Sequence, residues 1–191
     1  MSNDRTVLYN RLVNYLHNNE FKILKNEEWR ELPQGPKEEI ERVKPLGCTT
    51  NPHRFKQLGI DIDKIIVYIN ENKIDETNSC KLRVLLHEMS HATGDINILN
   101  RPGINNIKLT RHEIAYEEMI AEASTHALLK KLGYLTPEME KECVNYIEKM
   151  AVQGLPFTLM KLANMELTRD AALASEYVYE KWLTPVLKGF N

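Results

Sequence analysis

The sequence lacks the features of a membrane or secreted protein. Its first ten residues, MSNDRTVLYN, contain neither the basic nor the apolar segment of a secretory signal. No stretch approaches the roughly 20 apolar residues that a membrane-spanning helix needs. The three cysteines, Cys48, Cys80 and Cys143, are scattered and form no CxxC pair, which is typical of free thiols in a reducing compartment. We therefore expect a soluble, cytoplasmic protein with no membrane partner.

The sequence also lacks an excess of charge of one sign. Its 25 Lys and Arg residues nearly balance its 27 Asp and Glu residues, so the formal net charge is −2. A protein with this balance has no basic field of the kind that attracts nucleic acid, and we do not expect nucleic acid as a partner. At 191 residues and 42% hydrophobic content, the chain is long enough for one domain with a proper core. No repeat is visible, and nothing indicates an oligomeric state.

One short motif stands out from this ordinary composition, the run from His87 to His91 with the sequence HEMSH. Two histidines four residues apart on a helix differ by about 40° in azimuth, so both imidazoles project from one face. A single zinc ion can be held by both, and the carboxylate of Glu88 would lie beside the metal, where it can take a proton from water. This is the HExxH arrangement of zinc metallopeptidases.

The rest of the chain reads as helices around a small sheet. Residues 1–20 form a predicted helix (Asn3 to Asn19). Residues 21–61 are rich in proline and glycine, with room for one short helix at Lys37–Val43, and would serve equally well as a lid, a substrate wall or a surface loop. Residues 62–132 form the predicted catalytic core, which begins with a strand at 64–69. The helix that carries the motif follows, with candidate N-caps at Asp75, Thr77, Asn78 and Ser79 and an end at Gly94. A loop at 95–110 leads to a helix at 111–132 that is closed by Gly133. Residues 133–191 form C-terminal helices, beginning at Thr136–Pro137 and Leu155–Pro156, with a new start at Thr168–Asp170.

A catalytic zinc site needs a third protein ligand, and the helix at 111–132 supplies the candidates. Glu118 and Glu122 share one face of this helix, and His126 continues the stripe. The spacing alone does not choose between the two glutamates, although Glu122 has the small neighbours that allow close helix packing. Glu118 or His126 would then orient the ligands. A donor for the developing negative charge also remains open among Tyr68, His112, Tyr116 and His126. The isolated residues His17 and His53 read as surface histidines.

Three motifs in order resemble a known family. The run HExxHxTG at 87–94, the run LNR at 99–101 and the run EEMIAE at 117–122 are similar to the zincin-like metallopeptidase domain of ArdC-type antirestriction and phage polyvalent proteins. More remotely, they resemble the ImmA/IrrE peptidases. The resemblance covers about residues 64–132, and more loosely the C-terminal helices. It implies a zinc peptidase in which Glu122 is the third ligand, beside His87 and His91, and which comes from a mobile element.

The sequence departs from the family pattern at two positions. Family members commonly have His after the Thr-Gly pair and Arg before the Leu-Asn-Arg run, where this chain has Asp95 and Ile98. The DNA-binding N-terminal domain of full-length ArdC proteins is not recognisable, so DNA binding is not carried over.

The sequence therefore predicts an α+β fold, mostly helical, in which a zincin-like domain packs a small sheet on the HExxH helix. The predicted function is hydrolysis of a peptide bond in a host or mobile-element protein, with Zn²⁺ on His87, His91 and Glu122 and with Glu88 as the catalytic base. An alternative is a non-proteolytic antirestriction or host-factor-binding protein with a zinc-stabilised site. A third is a phage enzyme that processes coat or DNA-delivery proteins. The sequence does not indicate the substrate.

Overall fold

The computed structural model describes residues 2–19, 21–43, 45–74, 80–106, 108–154 and 160–189. Its helices are α1 (Ser2–Asn18), α2 (Gln34–Val43), α3 (Pro52–Gln57), α4 (Lys81–Ala92), α5 (Pro102–Asn105), α6 (Arg111–Lys131), α7 (Pro137–Gly154), α8 (Met160–Tyr177) and α9 (Thr184–Lys188). Short 3₁₀ turns lie at Asn26–Glu31 and Glu71–Lys73, and a π-helical turn at Val178–Leu183 joins α8 to α9. The strands are β1 (Phe21–Lys25), β2 (Gly47–Thr50) and β3 (Ile65–Ile69). The prediction of a mostly helical α+β fold with a small sheet is confirmed.

In the described ranges, no helix has the length and apolar character needed to cross a membrane.

The sheet has the strand order β1-β3-β2, with β1 parallel and β2 antiparallel to the central strand. All five residues of β3 are buried because both faces of the strand are covered. Ile65, Val67 and Ile69 face the main core, whereas Ile66 and Tyr68 face a second, smaller core on the other side of the sheet. This double burial explains why β3 reads as a continuous apolar run rather than as an alternating one.

Helix α4 crosses the main core and carries the HExxH motif. It packs on α1, β2, β3 and α6, and its apolar side chains belong to the main core: Leu82, Val84, Leu85, Leu86 and Met89. Its partner α6 begins at a capping box, in which the Thr110 hydroxyl accepts a hydrogen bond from the Glu113 N–H and the Glu113 carboxylate accepts one from the Thr110 N–H. Gly133, at φ +73°, follows the end of α6 as predicted. Helix α4 is therefore fixed by its packing in the core, and α6 has a defined cap at each end.

The prediction was wrong in two regions. Residues 21–61 contain β1, β2 and α3 as well as the expected α2, so this segment is largely regular. Strands of four and five residues are too short to show a clear period, and their hydrogen bonds come from β3, which lies far along the chain. The expected new helix start at Thr168–Asp170 is absent because α8 runs through it without a break. The predicted caps at Asp75, Thr77, Asn78 and Ser79, and the helix start at Leu155–Pro156, lie outside the described residues.

Candidate metal centre

The two histidines of the motif point their Nε2 atoms at each other. His87 and His91 lie one turn apart on α4, with ring centroids 4.8 Å apart and ring planes at 78°. Their Nε2 atoms are separated by 3.2 Å. Both side chains are mostly withdrawn from solvent, with 16% and 11% of each still exposed. Helix geometry alone accounts for this pairing, and the predicted juxtaposition of the two imidazoles is present.

The carboxylate of Glu118, on α6, faces both histidines, with one oxygen toward each. Its Oε2 lies 3.5 Å from Nε2 of His87, and its Oε1 lies 3.5 Å from Nε2 of His91. The three side chains form a group that could hold a metal ion. A tetrahedral zinc ion with ligands at about 2.0–2.1 Å separates its donor atoms by about 3.3 Å. The Nε2–Nε2 separation of 3.2 Å and the two-imidazole, one-carboxylate chemistry of this group both fit zinc.

Glu122 lies one turn further along α6 and on the other side of His87. Its Oε2 accepts a hydrogen bond from Nδ1 of His87 at 3.0 Å, and its Oε1 accepts one from the guanidinium of Arg83. The carboxylate is 3% exposed, so both of its oxygens are occupied within the protein. The described group that could hold a metal ion contains Glu118, whereas Glu122 contacts the other ring nitrogen of His87. The ligand role of Glu122 stays a prediction.

The charges of this cluster stabilise one another. Burial raises the pKa of both glutamates, but neighbouring positive groups outweigh it. His91 and His87 lower the pKa of Glu118 well below its usual range. His87 and Arg83 lower the pKa of Glu122 to about 2. Burial lowers the pKa of His87, but its hydrogen bonds to Glu118 and Glu122 outweigh this and raise it to about 10. Both carboxylates are therefore anionic, which suits them to bind or support a cation.

Glu88, the predicted base, is buried against strand β2. The Thr49 hydroxyl lies 2.8 Å from Oε2 of Glu88 and also 2.8 Å from its backbone carbonyl oxygen. A hydroxyl donates only one proton, so both contacts are hydrogen bonds when the carboxyl group itself carries a proton. Burial raises the pKa of Glu88, although the charges of His91 and His87 oppose the shift. The Glu88 carboxyl group is thus buried, and its contact with Thr49 fixes its orientation.

The predicted donors for developing negative charge lie elsewhere. Tyr68 faces the second core, on the side of the sheet away from α4. The Tyr116 hydroxyl donates to Asp170, and His126 pairs with Glu140 at 3.5 Å. His112, at the exposed first turn of α6, makes no described contact with the histidine pair. None of the four contacts His87, His91 or Glu118 in the described part of the chain.

Several residues of the site carry no recognisable signal in the sequence. Thr49 contacts Glu88, the predicted base, and Arg83 contacts Glu122. Tyr146 on α7 donates a hydrogen bond to Oε2 of Glu118 at 2.6 Å. Cys143, one turn before it, hydrogen-bonds Glu122, and burial together with that carboxylate raises its pKa to about 12. These residues reach the site only through contacts between distant segments, so no local motif in the sequence indicates them.

The segment after the motif clamps the end of α4. Arg101 donates to Glu117 at 2.9 Å, to the Thr93 hydroxyl at 2.7 Å and to the Ser90 carbonyl at 2.9 Å. Gly94 allows α5 to lie close to the end of α4, since a Cβ atom at Gly94 would collide with Ile104 of α5. The family-like TG and LNR motifs therefore have a structural role here, which is to hold the helix turn that carries His91.

The two departures from the family pattern also have structural roles. The Asp95 carboxylate accepts hydrogen bonds from the backbone N–H and side-chain amide of Asn97, and Ile98 packs against the main core.

No protein family, curated protein or solved structure matches the chain. The chemistry of the site is therefore the basis for a functional assignment.

Proposed function

We propose that this protein is a zinc-dependent metallopeptidase in which His87, His91 and Glu118 hold the metal and Glu88 is the general base. The observation that carries the proposal is the group formed by His87, His91 and Glu118, whose ligand atoms all lie within 4.8 Å of one another. A three-ligand set leaves a position open for water or substrate, which is typical of catalytic rather than structural zinc.

Each residue has a distinct part in the proposed reaction. Bound zinc would activate water and polarise the peptide carbonyl group. Glu88 takes a proton from the attacking water, and the water oxygen forms a bond to the carbonyl carbon. When the C–N bond breaks, Glu88 delivers that proton to the leaving amine. Thr49 keeps the Glu88 carboxyl group in one orientation during both transfers, because its hydroxyl contacts Oε2.

The buried carboxylate favours an enzyme over a binding protein. A purely structural zinc site has no need of a carboxylate beside the metal, and it usually closes with a fourth ligand. Glu88 is only 5% exposed, and a buried carboxylate with a shifted pKa beside two histidines is typical of a functional site. The resemblance of the motifs to ArdC-type domains supports a protein substrate from a host cell or a mobile element.

The test combines metal content with hydrolysis. Wild-type protein prepared with supplemented zinc should contain about one zinc per chain, whereas His91→Ala should lose it. Hydrolysis of a peptide library, read by mass spectrometry, should fall by about 10²–10⁴-fold in Glu88→Gln, the usual contribution of a general base, while the zinc content stays unchanged. Absence of zinc from the wild type would overturn the proposal. Zinc without hydrolysis would instead favour the non-proteolytic binding protein.

A further inference from the structure

Tyr146 makes a direct contact with the proposed zinc ligand Glu118. It lies on α7, and its hydroxyl donates to Oε2 of Glu118 at 2.6 Å. Its ring also meets the His87 ring edge to face, with centroids 6.2 Å apart and planes at 88°. The phenol is half-buried between the helices, so this contact is part of the packing of α6 against α7. Tyr146 is therefore fixed in place beside the site.

The other close partners of Glu118 would be occupied when the metal binds. In the described part of the chain, the Glu118 carboxylate contacts His87, His91 and Tyr146. The two imidazoles would direct their Nε2 lone pairs to zinc and would no longer donate protons to the carboxylate. A phenol does not compete in this way, because its hydroxyl is protonated at neutral pH and can continue to donate to the carboxylate. The Tyr146 hydroxyl would therefore remain as a donor to Glu118.

A glutamate ligand needs such a donor because its side chain is long and flexible. A hydrogen bond to one oxygen limits the rotation of the carboxylate and leaves the other oxygen free for the metal. His87 already has an equivalent support in Glu122, which is held by Arg83. Tyr146 would orient Glu118 by a hydrogen bond, as Glu122 orients His87.

We propose that Tyr146 is a positioning residue that orients Glu118 for zinc binding. This inference rests on the proposed function, since it concerns a ligand of the same metal. It predicts that the phenol hydroxyl affects zinc affinity through Glu118 alone. Loss of support from a group that orients a ligand typically weakens metal affinity by about 10–100-fold.

The test compares Tyr146→Phe with Tyr116→Phe in zinc titrations against a chelating competitor. Tyr116 is a matched control, because its hydroxyl also donates to a carboxylate, Oδ2 of Asp170 at 3.1 Å, between α6 and α8. We expect Tyr146→Phe to raise the Kd for zinc about 10-fold and Tyr116→Phe to leave it unchanged. The visible spectrum of Co²⁺ in the same site should change in Tyr146→Phe only, since it reports ligand geometry.

A double-mutant cycle separates positioning from general stability. In a Glu118→Ala background, Tyr146→Phe should have no further effect on the residual zinc affinity. An equal effect in both backgrounds, or a wild-type Kd in Tyr146→Phe, would overturn the inference and leave the proposed function standing. A wild type that binds no zinc would overturn both, and this outcome is recognisable before any Tyr146 variant is made.

Discussion

The carboxylate of Glu122 lies 3.0 Å from Nδ1 of His87, on the far side of the imidazole ring from Nε2. Nε2 is thereby left to face His91 and Glu118. A histidine that binds a metal through one ring nitrogen usually donates its other N–H to a carboxylate, which fixes the tautomer and the ring orientation. The two glutamates of α6 thus have different positions around one histidine, and different consequences follow from removing each.

Removing Glu118 should weaken zinc binding far more than removing the charge of Glu122. Glu118→Ala deletes the only carboxylate of the described three-residue group that could hold the metal. Glu122→Gln keeps a hydrogen-bond acceptor near His87, so the metal stays bound with an affinity lowered by about 10–100-fold. Elemental analysis gives the stoichiometry, and titration with a chelator gives the affinity. Loss of zinc from Glu122→Gln combined with full binding by Glu118→Ala would reverse the assignment.

Gly47→Ala should disturb the base without removing the metal. A Cβ atom at Gly47 would lie 2.5 Å from Oε1 of Glu88, so the buried carboxylate must move. We expect a loss of about 1–3 kcal/mol in the free energy of unfolding, the usual cost of overpacking. Hydrolysis should fall while the zinc content is retained. Gly189→Ala is the control, because the nearest atom to its Cβ is 3.5 Å away; equal unfolding curves for the two variants would contradict this account.

Arg101→Met should destabilise the protein strongly. Arg101 and Glu117 are each 6% exposed and are 2.9 Å apart, so the variant leaves a buried carboxylate without its cation. Breaking such a pair costs about 3–5 kcal/mol in the free energy of unfolding. Arg169→Met removes an ion pair of similar length, 3.0 Å to Asp170, whose arginine is 67% exposed. That variant should cost at most about 1 kcal/mol. Urea unfolding measures the stability of both variants. Similar unfolding midpoints would argue against a role of Arg101 in holding the end of α4.

Glu71 should contribute to stability in a way that depends on pH. Its carboxylate accepts a hydrogen bond from Tyr9 at 2.6 Å and pairs with Lys25 at 2.8 Å. Burial raises the pKa of Glu71, but Lys25 and Tyr9 outweigh it and leave the pKa below the ordinary value of 4.5. A lowered pKa in the folded state means that this contribution is present above pH 4.5 and is lost as the pH falls through the folded-state pKa.

The measurement is the difference in unfolding free energy between the wild type and Glu71→Gln. We expect a difference of about 1 kcal/mol near pH 7 that shrinks in acid. A difference that stays constant or grows as the pH falls would show that the charge of Glu71 is not what stabilises the contact.

The sequence by itself determined the local parts of the site. His87 and His91 share one face because the pitch of a helix depends only on spacing along the chain. The start of α6 at Thr110 and the glycine after its end follow from capping, which involves only neighbouring residues. The composition and the long apolar run of β3 were likewise enough to predict an α+β fold with a small sheet.

Only the tertiary structure distinguished the positions of Glu118 and Glu122 around His87. The two residues lie one turn apart on the same face, so these positions depend on how far α6 is displaced along its axis against α4. The same holds for Thr49 beside Glu88 and for Tyr146 beside Glu118, which reach the site from β2 and α7. These contacts arise from the packing of elements that are distant in sequence, and no local spacing encodes them.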